Sequence, residues 1–260
     1  MDFTLRTYRT LITTLIDSVY AFLTFSEFLS ATSEKGKCLV LRHDVDRLPF
    51  NSLQTAKIES KYGVHSTYYF RAVPESWNEN IIKEIASLDH EIGYHCESLI
   101  TCGGDVDAAY GDFCKNLEKL RQIVPVKTIC MHGSPRSKYD SRILWNKYSY
   151  NDLGIIGEPY FDTDFSQILY LTDTGRMWDG YNVSIRDKIP VYQDIWIKKG
   201  LSFHSTYDII SAINRKELPG KIMLTIHPQR WTDNLLKWIE ELLLQNVKNI
   251  VKKALVKATN

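Results

Sequence analysis

The chain is short of cysteine and has no excess charge of either sign, no long uninterrupted apolar run and no linker. Its 260 residues include five cysteines (38, 96, 102, 114 and 130), odd in number and without the Cys-x-x-Cys spacing of a zinc ribbon or redox site. With no secretory signal in view, the expectation is that they stay reduced. Lysine plus arginine total 32 against 31 acidic residues, so net charge points to neither nucleic acid nor a strongly acidic partner. The most apolar stretch, Leu11 to Leu29, is broken by Thr13, Thr14, Asp17, Ser18, Thr24, Ser26 and Glu27. Leu5, Tyr8, Leu11, Ile12, Leu15, Ile16 and Val19 follow helical spacing, which predicts an amphipathic helix packed on the domain and no transmembrane segment. No charged n-region, apolar h-region and small-residue cleavage site line up. The expected location is cytoplasmic, with peripheral contact to an inner membrane as the compatible variation.

What is present is an ordinary globular composition, 44% hydrophobic and 24% charged, with an alternating pattern. Strands are expected at Cys38 to His43, Val64 to Arg71, Glu91 to His95, Lys127 to Met131, Ile155 to Gly157, Ile168 to Thr172 and Lys221 to Ile226. Helices are expected near 50–61, 78–88, 106–122, 139–147, 206–216 and 233–257. Such alternation predicts parallel strands with crossover helices, as a barrel or a doubly wound sheet. One domain is expected: a helical extension over 1–36, a barrel over 37–232 and a terminal helix over 233–260. That last helix, with Lys248, Lys252, Lys253 and Lys257, is expected to pack its apolar side and solvate its lysines, in preference to lying on a lipid surface.

The polar residues at strand ends carry the chemistry. Arg42-His43-Asp44-Val45-Asp46 closes the first apolar strand, and period-two alternation puts Arg42, Asp44 and Asp46 on one face. Arg42 would hold a carboxylate ionised; the plainer alternative is a turn whose acids cap the next helix. Arg71, His95, His132, Asp173 and His227 end other strands, and in a barrel all such ends share one rim. In Glu91 to Glu97, His95 and Glu97 share a face that His90 does not. Asp46, His95 and His132 form an oxygen and nitrogen set suited to zinc, or to cobalt, manganese or nickel, with Glu97 as the other choice for third ligand. Asp173 and Trp178, near a Gly-containing turn, are candidate sugar contacts, against a turn with a core tryptophan.

Taken in order, Arg42 to Asp46, His90 to His95, His132-Gly133-Ser134-Pro135 and Leu224-Thr225-Ile226-His227-Pro228 resemble the polysaccharide deacetylase family, also called NodB-homology proteins or carbohydrate esterase family four. Ser66 to Phe70 resembles its second strand, and the likeness runs over roughly residues 38 to 230. It implies a distorted (β/α)7 barrel, with the N-terminal helices as an addition. It also implies a divalent metal, Asp44 as base, His227 as acid, and an N-acylated sugar or sugar-containing intermediate of surface-polysaccharide synthesis as substrate. Two departures stand out: Val45 separates the aspartates, as in an HDVD branch, and Leu99 stands where a second ligand histidine is usual. Gly133 replaces the usual arginine, leaving Arg42, Arg71 or Arg136 to orient the base. The competing readings are a metal-free carbohydrate-binding pseudoenzyme and another C–N hydrolase, deformylase or allantoinase-like.

Overall fold

Strand β2 (Cys38–Val45) is buried along all eight residues because both its faces are covered, the usual condition of a strand in a parallel sheet. The computed structural model describes residues 1–31, 36–133, 137–178 and 189–259, without the side chains of 190 and 251–259. On one edge of β2 runs β7 (Lys221–Ile226), in register from Cys38↔Lys221 to His43↔Ile226. The other edge is shared, by β1 (Ala21–Leu23) at Cys38 to Val40 and by β3 (Thr67–Phe70) at Arg42 to Val45. Beyond β3 lie β4 (Glu91–Cys96) and β5 (Ile129–Met131), and beyond β7 lies β6 (Leu169–Thr172). Every ladder is parallel, in the order β5-β4-β3-β2-β7-β6.

Helices join these strands. They include α1 (Leu5–Asp17), α2 (Phe25–Ser30), α3 (Pro49–Lys61), α4 (Glu79–Ser87), α5 (Ser98–Thr101), α6 (Val106–Arg121), α7 (Leu144–Lys147), α8 (Pro190–Lys198), α9 (Thr206–Asn214) and α10 (Leu235–Thr259). Leu39 and Leu41 face an outer core with Tyr8, Leu11, Ile12 and Leu15 of α1 and Ile209 and Ile213 of α9. Val40 faces the interior with Phe25, Phe165, Ile168, Tyr170 and Met223. Past β5, Thr128 and Gly157 make one isolated parallel bridge, and among the described residues no ladder joins Gly157 to β6. The result is a distorted α/β barrel left open at that seam.

The structure corrects several expectations. The apolar stretch from Leu11 to Leu29 is not one helix: α1 stops at Asp17, Val19 takes φ 62°, and β1 enters the sheet before α2 starts. Thr24 and Glu27 form a reciprocal capping box there, a stop and restart that the run of apolar residues hides. Ile155 to Gly157 supplies a bridge where a strand is expected, and 139–147 resolves into a 3₁₀ turn followed by the short α7.

Gly93 shows how tightly the interior is filled. It pairs with Tyr69 across β3 and β4, and a Cβ there would lie 2.3 Å from Tyr69 Cε1 and 3.0 Å from the Thr128 carbonyl. The Tyr69 ring is buried and its hydroxyl donates to Thr128 Oγ1 at 3.1 Å, so it cannot swing aside. Gly93→Ala is expected to cost about 1–3 kcal/mol, the range for overpacking, in urea unfolding. A cost within error of zero would show that the ring relaxes freely.

Candidate active site

Because the strands are parallel, the residues that follow their C-terminal ends gather at one rim. Arg42 and Asp44 point inward from β2, Arg71 follows β3, His95 belongs to the end of β4, His132 follows β5, Asp173 follows β6 and His227 follows β7. The intervening His43 points the other way, into the layer of α1 and α3. There it meets Glu59 at 2.8 Å and stacks on Tyr68 at 4.0 Å. Glu59 also accepts from Tyr8, Ser66 and Tyr68. Burial raises its pKa, but His43, His90 and Ser66 outweigh that and hold it at about 2. This network ties α1, α3, β2 and β3 together from behind the rim. His90 belongs to it, through Ser66 and the Ala56 carbonyl, and stays out of the site.

Three rim residues converge. His132 Nδ1 lies 3.0 Å from His95 Nε2 and 3.3 Å from Asp46 Oδ1, while His95 Nε2 is 3.7 Å from the same oxygen. Backbone contacts fix the placement: the His132 amide donates to the Cys96 carbonyl at 2.8 Å, continuing the β4–β5 ladder past its last strand residue. His95 Nδ1 faces the Cys130 carbonyl at 3.0 Å, an acceptor that requires the proton on Nδ1 and leaves the Nε2 lone pair aimed at the rim. Burial presses the His95 pKa down to about 4, against the pull of Asp44, so the ring is neutral at pH 7. Asp46 Oδ1 is buried and has no hydrogen-bond partner, while Oδ2 accepts from Gln229 Nε2 at 3.2 Å. A buried anionic oxygen that makes no well-formed hydrogen bond and faces two imidazole nitrogens is what a divalent cation would satisfy.

Asp44 is held differently. Arg42 Nε donates to Oδ1 at 2.8 Å and Nη2 to Oδ2 at 2.6 Å, a bidentate pair with both residues almost fully buried. Burial alone would raise the Asp44 pKa, but Arg42, with His95 and His227, holds it well below the usual carboxylate range. Asp44, His95 and Cys130 also cluster. That set suits a cation less well, because Arg42 occupies both Asp44 oxygens and burial pushes the Cys130 thiol well up.

Arg71 clamps Glu97 through both oxygens, with Nη2 contacts of 2.8 Å, and donates from Nη1 to the Asp46 carbonyl at 3.1 Å. Glu97 is thereby committed to a cation of the protein itself. Arg136, with Ser134 and Pro135, lies outside the described residues.

His227 Nδ1 meets Asp173 Oδ1 at 2.6 Å, and its Nε2 is 3.9 Å from Asp46 Oδ2. Asp173 accepts as well from the His227 amide at 3.0 Å, Arg230 Nη1 at 2.5 Å and Trp231 Nε1 at 2.9 Å. Burial and Arg230 press the His227 pKa down; Asp173 and Asp46 outweigh them, and it ends raised.

Of the two readings of Asp173 and Trp178, sugar contacts or a turn with a core tryptophan, the burial of both side chains matches the second. Asp173 is wholly buried, with its oxygens occupied by His227, Arg230 and Trp231, so it holds those groups and does not reach a ligand. Trp178 is also wholly buried, packed in the outer core with its Nε1 donating to Thr206 Oγ1 at 2.9 Å. Gln229, Arg230 and Trp231 are site residues that no motif in the sequence singles out. Their signal was position, two to four residues past His227 in the same turn.

No protein-family profile and no curated protein matches the chain. Among solved structures it is similar to a CE4 family pseudoenzyme from Bacillus anthracis, at 13% identity, covering 85% of this chain and 63% of that one, with a TM-score of 0.44. A mutant of that pseudoenzyme with restored enzymatic activity gives 13% identity, 85% and 65% coverage and a TM-score of 0.44. A mutant of peptidoglycan deacetylase PdaC from Bacillus subtilis gives 10% identity, 84% and 98% coverage and a TM-score of 0.40. The chain spans less than two thirds of the first two.

Proposed function

We propose that the protein is a metal-dependent N-deacylase of the polysaccharide deacetylase type, removing an acyl group, acetyl first, from an amino sugar or sugar-containing intermediate. The observation that carries this reading is the unsatisfied Asp46 Oδ1 at 3.3 Å from His132 Nδ1 and 3.7 Å from His95 Nε2. Asp46, His95 and His132 would hold the cation, zinc being the best fit to two imidazoles and one carboxylate. A bound divalent cation supplies Lewis acidity, polarising water and the amide carbonyl.

The remaining work falls to the chain's own side chains. Asp44 takes the proton of the attacking water, in an orientation fixed by Arg42. His227, whose protonated form Asp173 favours, delivers a proton to the departing amine nitrogen, without which that leaving group is poor. Arg71 holds the Asp46 backbone in place. One observation favours a second reading, a metal-free carbohydrate-binding module: an aspartate as strongly ionised as Asp44 is a weak base.

Calorimetric titration of metal-stripped protein with zinc separates the two readings. One ion per chain should bind at pH 8, with affinity falling as the pH is lowered. Asp46 raises the His132 pKa against the effect of burial, so protons compete for that nitrogen over a higher pH range than usual. Loss of a group behind a metal ligand costs 10–100-fold, so Asp46→Asn or His132→Ala should each weaken binding by at least about 100-fold. Glu97→Gln should leave it nearly unchanged. Zinc binding lost in Glu97→Gln and retained in His132→Ala would overturn the ligand set. No binding at pH 8, with sugar binding intact, would establish the binding module. Release of carboxylate from N-acetylated and N-formylated sugar substrates by the zinc-loaded protein tests the reaction and distinguishes deacetylase from deformylase.

A further inference from the structure

The terminal helix α10 is amphipathic the wrong way round for a packed helix. Over Leu235 to Ile250 its inward side carries Trp238, Glu241, Leu242, Gln245 and Asn249, mostly polar. Its contacts match: Glu241 pairs with Arg47, Asn249 Nδ2 donates to the Gly175 carbonyl at 3.0 Å, and Trp238 Nε1 donates to the Asp2 carbonyl at 2.7 Å. The outward side carries Leu236 at 78% exposure, Leu243 at 60%, Val247 at 62% and Ile250 at 69%, with Leu235, Ile239 and Leu244 beside them. This reverses the sequence expectation of a packed apolar face. A polar stripe fastens the helix, and the apolar one is left outward.

We infer that this apolar face seats on an anionic phospholipid bilayer. At about 100° per residue the outward leucines, isoleucines and valine spread over roughly 180° of the helix, along about 24 Å of its length. That is the form of an interfacial helix, which buries its apolar side at the level of the headgroups. A coiled-coil seam with a second copy fits poorly. Leu236, Leu243 and Ile250 repeat every seven residues, but the positions three further on are Ile239, Asn246 and Lys253 and those four further on are Glu240, Val247 and Ala254, so in either register a polar or charged residue interrupts the second position of the heptad.

Charge selects the lipid. The helix carries Lys237, Lys248, Lys252, Lys253 and Lys257 against two acids, Glu241, buried against Arg47, and Glu240, exposed within the outward arc between Val247 and Leu244. Lys237 and Lys248 are exposed. At the N-terminal end, Arg6 and Arg9 of α1 add exposed cations, with the Arg6 amide tied to Asp233 just ahead of the helix. Basic residues near an anionic surface each strengthen binding to it. Arg47 follows Asp46 directly, and beyond it Leu48 and Phe50 stand exposed at 44% and 59%. The helix is therefore fastened to the loop that leaves the candidate active site.

The test is co-sedimentation of the full chain with phosphatidylcholine vesicles, with and without phosphatidylglycerol. Binding should need the anionic lipid and weaken as salt is raised. Leu236→Asp with Leu243→Asp should weaken it by at least about tenfold, since each leucine forfeits its burial. Lys237→Glu should weaken it without touching the apolar face, and Val247→Trp should strengthen it, because tryptophan favours the interface. These side chains are exposed, so melting temperatures should hold, and the lysine variant and Val247→Trp keep the test independent of the aspartates. Absence of binding to anionic vesicles, or binding unaltered by all three variants, would overturn the inference. So would a dimer in sedimentation equilibrium that the double aspartate variant dissolves while vesicles are ignored. Asp46→Asn should bind vesicles like the parent, so failure of the deacylase reading would leave this result standing.

Discussion

Arg42→Met is expected to destabilise the protein by about 3–5 kcal/mol at pH 7, the cost of removing one partner of a buried ion pair. Arg42 and Asp44 are 1% and 2% exposed, so methionine fills the volume but leaves a carboxylate without its cation or its two donors. The sign with pH follows from the Asp44 pKa, which Arg42 holds low against burial in the parent. A depressed folded-state pKa contributes stability above the unfolded value of about 3.9, lost as pH falls through the folded value. Without Arg42, burial takes over and the pKa moves above 3.9. The variant's deficit should then be largest at neutral pH and shrink as the solution is acidified toward that raised value. Urea unfolding of both proteins at pH 7 and pH 5 measures this. Arg42→Met with Asp44→Asn should recover part of the loss, since a neutral pair leaves no buried charge. In the zinc-loaded enzyme the same single change should shift the acidic limb of the pH–rate profile upward. A deficit below about 1 kcal/mol that does not vary with pH would mean that the pair is solvated.

The alternation of β2 was legible because the strand is long and its charged residues Arg42 and Asp44 share one parity, with His43 alone between them on the other. The same rule separated His95, on β4, from His90, just ahead of it, which the structure turns toward α3 and away from the rim. Parity failed where elements are short. β1 has three residues, and nothing in Ala21-Phe22-Leu23 distinguishes an edge strand from a continuing helix. Trp178 was unreadable for another reason: whether a tryptophan beside a turn meets solvent depends on its neighbours, here Phe3 and Trp231, which are remote in sequence. The orientation of α10 was hidden because periodicity shows that a helix has an apolar side without showing which side meets the protein. Arg47, nearly two hundred residues earlier, decides that through Glu241. The convergence of Asp46, His95 and His132 followed from one topological fact, that parallel strands end together.

Asp173→Asn is expected to lower turnover of the zinc-loaded enzyme by roughly 10²–10⁴-fold, the range for losing a positioned general acid, with zinc affinity kept. The change is nearly isosteric but alters what faces four donors. Asp173 now accepts from His227 Nδ1 at 2.6 Å, the His227 amide at 3.0 Å, Arg230 Nη1 at 2.5 Å and Trp231 Nε1 at 2.9 Å. An asparagine has one acceptor oxygen, so its NH₂ must meet a donor or turn the imidazole. A turned or differently protonated ring no longer presents a proton on Nε2, the nitrogen on the Asp46 side. The anion that offsets burial and Arg230 is also gone, so the raised His227 pKa should fall. A group that must be protonated to act sets the basic limb of the profile, and that limb should move to lower pH. Arg230→Met should move it the other way, because a cation that lowers the histidine pKa is removed. Opposite displacements from two neighbours of one ring would separate control of His227 from general damage to the fold. If both variants lose activity with the basic limb in its original place, His227 is not the proton donor.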